Sequence, residues 1–138
     1  MEEEIAAYLD ANLFVFLLAY AEETQEHKAA LAAMELLLKS KTNMVTSTLT
    51  WDEVAHAISK TIGRESAVKE AGRLLQFPRL YFSPVTKATT LKAQELFKEG
   101  LQPRDAIHAA AALENNCLRI VSNDKAFDKV KGLKRIPI

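Results

Sequence analysis

A single cysteine, Cys117, stands in 138 residues, so the chain closes no disulfide within itself and offers no cysteine pair for zinc. Cys117 is expected to pack as a small hydrophobe. Charge of one sign is also missing: 18 lysines and arginines balance 18 aspartates and glutamates, which removes the global argument for a nucleic-acid or membrane partner. The one sustained apolar run, 13–21, is too short to span a bilayer. The acids Glu2, Glu3, Glu4 and Asp10 precede it, where a targeting signal would carry bases. No glycine-rich phosphate loop, nucleophile elbow or dinucleotide fingerprint occurs, which removes common alternatives for an α/β chain. Internal repeats, low-complexity tracts and linkers are absent too. The expectation is a cytoplasmic protein forming one domain over residues 1–138, with 49% hydrophobic residues to build its core.

The charge that is present is unevenly spread. Residues 1–35 hold eight acids and one base, Lys28, which leaves the remainder with seven more bases than acids. A solvated surface accounts for that excess, and so does a basic face that attracts a polyanion; the run Lys125, Lys129, Lys131, Lys134 and Arg135 is the densest part of it.

Periodicity gives an alternating chain. Short strand-like runs are expected over 5–9, 42–47, 79–85, 118–121 and 133–138, the last an edge strand because it carries Pro137. Helical stripes fall over 13–21, 24–39, 50–62 (stopped by Gly63), 64–77 (ended by Pro78, with Ala67, Ala71, Leu74 and Leu75 inward) and 86–99 (capped by Gly100). Pro103 suits the first turn of a helix whose residues 105–113 are so apolar that it is expected to be buried nearly all round. A short helical turn over 122–127 follows the fourth strand. Strands alternating with helices on short connections imply an α/β fold of three layers, a mostly parallel sheet of four or five strands flanked by helices.

Four acids stand where a strand has just ended or a helix is beginning: Asp10, Glu53, Asp105 and Asp124. In a parallel sheet such positions can converge on one edge, the edge at which open α/β sheets carry their sites. Carboxylates brought together repel unless a cation neutralises them, and an all-oxygen donor set suits Mg2+ or Mn2+ over zinc. Each acid also has a structural reading. Thr50-x-x-Glu53 fits a capping box, Asp10 and Asp124 can cap helices, and Asp105 can complement a helix dipole. Supporting polar residues are Asn12, Ser47, Asn123 and Asp128, able to orient water or meet a phosphate oxygen and equally common in caps and turns. His108 follows Asp105 by one helical turn, so it is either a ligand or a packed histidine. His27 and His56 have no evident partner.

Four segments carry a family resemblance. Tyr8-Leu9-Asp10-Ala11-Asn12-Leu13, Thr48-Leu49-Thr50-Trp51-Asp52-Glu53-Val54, Pro103-Arg104-Asp105-Ala106-Ile107-His108-Ala109-Ala110 and Val121-Ser122-Asn123-Asp124-Lys125-Ala126-Phe127 resemble, in order and spacing, the motifs of PIN domains, best known from VapC-type toxins of toxin–antitoxin pairs. The resemblance implies that Asp10, Glu53, Asp105 and Asp124 ligate Mg2+ or Mn2+, that the activity is metal-dependent cleavage of RNA, that the protein is a homodimer, and that a small antitoxin blocks the cleft. Many relatives carry an acid directly before the phenylalanine of the fourth motif. Here that place is Ala126, with Asp128 after Phe127. Other readings stay open: a non-catalytic RNA- or protein-binding module, an RNA-processing nuclease without antitoxin, and a phosphatase for small phosphoesters.

Overall fold

A computed structural model describes residues 6–138. Five strands, β1 (Ala6–Leu9), β2 (Asn43–Ser47), β3 (Leu80–Ser83), β4 (Arg119–Val121) and β5 (Lys134–Ile136), form one sheet in the order β3-β2-β1-β4-β5 with every pair parallel. Six helices connect them: α1 (Ala11–Ala19), α2 (Gln25–Lys39), α3 (Thr48–Thr61), α4 (Arg64–Leu75), α5 (Lys87–Lys98) and α6 (Pro103–Glu114). A 3-10 turn spans Lys125–Lys129. The expected α/β class is present, and the sheet expected to be mostly parallel with four or five strands has five, all parallel. Ile5, expected in the first strand, lies outside the described residues.

The central strands β1, β2 and β4 are buried on both faces, and period-two alternation divides their side chains between two cores. Tyr8, Val45 and Ile120 pack on one face with α5, α6 and the 3-10 turn, through Ala93, Leu96, Ala109, Ala110 and Phe127. Ala7, Leu9, Met44 and Val121 pack on the other with α1 to α4, through Leu13, Phe14, Met34, Val54, Ile58 and Leu74. Helices therefore cover both faces, giving three layers. Cys117 is buried in the first core, where burial pushes its thiol up to about 11.

Several expected boundaries move. α3 begins at Thr48, two residues early, because Thr50 is turned inward: its hydroxyl meets Thr46 Oγ1 at 2.7 Å, and Thr46 donates to Leu9 O at 2.8 Å. Ser47 is the N-cap, with no side-chain bond to the helix, so Thr50 and Glu53 form no capping box. Leu75, expected inward, is 51% exposed at the last turn of α4, while Leu74 fills the core. α6 meets its expectation: Ala106, His108 and Ala109 to Ala112 are all buried. Gly63 and Gly100 follow α3 and α5 at φ 141° and 114°, a backbone region that favours glycine. β5 is an edge strand, and Pro137 falls just beyond it.

This strand order places a topological switch at β1. The chain runs outward from β1 through β2 to β3, then returns to β1's other side for β4 and β5, leaving a crevice at the carboxyl ends of β1 and β4.

Candidate active site

Asp10 occupies that crevice. It is the residue after β1, its backbone N–H still bonds Val121 O across to β4 at 3.1 Å, and the residue is only 6% exposed. Ala11 N donates to Asp10 Oδ1 at 2.8 Å and Ser122 Oγ to Oδ2 at 2.6 Å, so the carboxylate is oriented from both sides. The cap reading of Asp10 and its place in the crevice are one and the same: it is the N-cap of α1. Burial raises its pKa, and the repulsion of Glu53 adds to this. The charge of His108 and the bond from Ser122 oppose the rise without cancelling it.

Asp105 reaches the same crevice from the first turn of α6. Its pKa is pushed up to about 7, first by burial, then by the charge of Asp124 and a hydrogen bond with it, and further by the charge of Asp10. Asp124, following β4, caps the 3-10 turn by accepting from Ala126 N at 2.9 Å, and its own N–H donates to Ser122 Oγ at 3.0 Å. Asp105 therefore feels the charges of both Asp10 and Asp124, and the three acids come from three separate elements.

Glu53 joins them through His108. His108 Nε2 lies 2.7 Å from Glu53 Oε1 and 3.6 Å from Asp10 Oδ1. Behind the ring, Tyr8 Oη meets His108 Nδ1 at 2.6 Å and donates to Ser47 Oγ at 2.9 Å. The only hydroxyl proton of Tyr8 goes to Ser47, so the Nδ1 contact takes the ring's N–H; an ionised Glu53 accepts only, so Nε2 donates as well. His108 is then an imidazolium. Burial opposes that charge, but the Tyr8 oxygen, Glu53 and Asp10 outweigh it and hold the pKa well above the usual histidine value. The histidine supplies a positive charge in the middle of the acids.

The remaining sequence candidates separate. Ser47 is fully buried and sits behind Tyr8, away from solvent. Asn12 points its amide at Ser122, Nδ2 to Oγ 3.5 Å, and its buried Oδ1 has no partner among the described residues. Asn123 is exposed. Asp128 is exposed and doubly bonded to Arg135, at 2.9 and 3.3 Å, so of the two acids around Phe127 it is Asp124 that faces Asp105. Arg135, one of the bases in the 125–135 run, is thereby engaged. His27 has a partner after all, Phe16 O at 3.2 Å from Nδ1.

Ser122 and Tyr8 are site residues that the sequence does not single out outside its family motifs. The available signal was a hydroxyl in an otherwise apolar strand and a histidine one turn after Asp105 in an otherwise apolar helix. The distance of 100 residues between them hid the pairing.

The donors fit a divalent cation in kind: all are oxygen donors, and burial, with the repulsion of neighbouring acids, makes Asp10 and Asp105 hold protons more tightly than usual, which a cation would offset. They are not preassembled. Among the described residues no three His, Cys, Asp or Glu side chains are already disposed to hold an ion, and Glu53 is engaged by His108.

The PIN-domain family model matches residues 7–133. The chain belongs to the PIN-domain family. Among curated relatives of this PIN domain, ribonuclease VapC1 of Aquifex aeolicus is 28% identical over 123 residues, covering 87% of this chain and 82% of the relative. Among solved structures, VapBC2 from Rickettsia felis, bound to a DNA fragment from their promoter, superposes with a TM-score of 0.75 at 20% identity, over 97% of this chain and 99% of that one. VapC20 of Mycobacterium tuberculosis, a sarcin-ricin-loop-cleaving toxin, superposes with a TM-score of 0.67 at 17% identity, over 83% and 86%. VapBC from Salmonella typhimurium, solved bound to DNA, gives 0.69 at 18% identity, over 96% and 98%. These three share the fold of the PIN domain described here.

Proposed function

We propose that this PIN domain, one unit over residues 1–138, is a divalent-metal-dependent endoribonuclease, the toxin of a toxin–antitoxin pair acting in the cytoplasm as a homodimer. What carries the reading is the meeting of Asp10, Asp105 and Asp124 at the switch crevice, with Glu53 one histidine away, in a chain related to a ribonuclease VapC. Among the described residues no helix is long and apolar enough to cross a membrane.

Asp10, Glu53, Asp105 and Asp124 are the residues that would hold Mg2+ or Mn2+. When bound, the ion supplies Lewis-acid chemistry to phosphodiester hydrolysis. Asp10 is pre-oriented by Ser122 and the Ala11 N–H, so its carboxylate needs little rearrangement to serve there. His108 holds Glu53 near Asp10 and offsets part of the negative charge that would turn an RNA backbone away. Asp105 keeps a proton up to about neutral pH while the acids lack a cation, and gives it up when they take one. An apolar groove of about 700 Å³ between α1, α2 and α4, lined by Phe14, Leu17, Leu31, Met34 and Phe77, suits an apolar helix of a small antitoxin.

The test is cleavage of RNA in Mg2+ or Mn2+ that chelation abolishes. Asp10→Asn and Asp105→Asn are expected to fold and to lose activity by two or more orders of magnitude; RNA cleavage surviving both changes would refute the assignment.

A further inference from the structure

A groove of about 320 Å³ leads away from the acids along α3, lined by Asn12, Asp52, Glu53, His56 and Lys60, with Arg104 of α6 on its other wall. Glu53, His56 and Lys60 lie three and seven residues apart, so they form a column on one face of α3. At the rise of an α-helix, Lys60 stands about 10 Å along the axis from Glu53. The groove is therefore acidic at its Glu53 end and basic at its Lys60 end. Arg104 directly precedes Asp105, so it brings a second cation to the edge of the same acids.

Three other bases are held in ion pairs. Arg73 pairs with Glu70, Lys98 with Glu95 and Arg135 with Asp128. Lys60 and Arg104, both exposed, form no ion pair among the described residues, although Asp52 and Glu53 line the same groove. A polyanion laid across a crevice of acids is repelled, and only phosphates matched by nearby cations offset that repulsion. The groove provides two such cations beside the crevice.

We propose that this groove binds the phosphodiester backbone of single-stranded RNA flanking the scissile bond, with Lys60 and Arg104 each meeting one phosphate. The proposal rests on the ribonuclease reading and adds the path of the strand: away from the acids along α3, not over the basic run at 125–135. Backbone contacts of this kind set register and affinity without reading sequence.

The experiment measures binding of a labelled single-stranded RNA oligonucleotide to the full chain carrying Asp10→Asn, in Mg2+, across a salt series. Lys60→Gln and Arg104→Gln, at exposed positions, are each expected to weaken binding and to reduce the slope of log affinity against log salt by about 0.7, and the double change by about 1.4. Lys129→Gln, in the other basic run, is expected to leave both unchanged. Parent-like affinity and slope in the Lys60 and Arg104 variants would overturn the groove assignment while leaving the nuclease intact, as would a loss confined to Lys129→Gln. If wild-type protein cleaves no RNA and the Asp10→Asn chain binds none, the nuclease reading fails and this proposal fails with it.

Discussion

Tyr8 shows how much one hydroxyl can organise. It joins a strand to a helix residue 100 positions later and a serine 39 positions later, all three fully or almost fully buried. Tyr8→Phe keeps the ring and its edge contact with His108 but leaves a serine and an imidazole nitrogen without their partner. Stranding buried polar groups costs about 1–3 kcal/mol. Urea titration is expected to show a lower midpoint by a corresponding amount, and RNA cleavage is expected to fall because Glu53 loses its brace; an unchanged midpoint would contradict the hydrogen-bond chain. None of this was legible in the chain as written. Asp10 and Asp105 stood out because they sat at predictable element boundaries, whereas the meaning of Tyr8, Ser122 and His108 depends on which strands are neighbours.

At the level of elements, hydrophobic period and breaker residues located every helix and strand to within a few positions. The misses have local causes. The start of α3 moved because Thr50 found a better partner in Thr46 than in its own helix, and the same choice freed Glu53 from a capping box. Leu75 turned outward because Leu74 took the core position one step earlier. α6 was the most legible element, since a helix with alanines at 106 and 109 to 112 has almost no face for water. Small side chains there also let it lie close against the sheet. Ala110→Leu adds a bulky side chain to a position with no exposed surface, and such overpacking costs about 1–3 kcal/mol. Thermal or urea unfolding checks it; a neutral result would mean that α6 packs more loosely than described.

Across the whole molecule, the crevice makes stability depend on protons and cations together. Asp105 has its pKa raised from 3.8 to about 7, and that of Asp10 is raised too, so between about pH 4 and pH 7 the folded state binds more protons than the unfolded one. Stability of the ion-free protein therefore falls as pH rises through that window. The raised pKa of His108 acts in the same direction: its stabilisation is full below the ordinary histidine value and lost as pH climbs through the folded one. Melting curves in chelator are expected to drop toward neutral pH, to drop less in Asp105→Asn, and to recover when Mn2+ is added. A melting temperature indifferent to Mn2+ at neutral pH would argue against a cation site at these acids.

The central place of β1 has a consequence for how the molecule comes into being. β1 is bordered by β2 and β4, and its partnership with β4 joins residues 7–9 to 119–121. A ribosome delivers Asp10 more than a hundred residues before Asp124, so a chain translated only part-way through this sheet carries the first acids with nothing opposite them. Whatever chemistry the crevice performs is withheld until β4 and Asp124 have been made and have found their place beside β1.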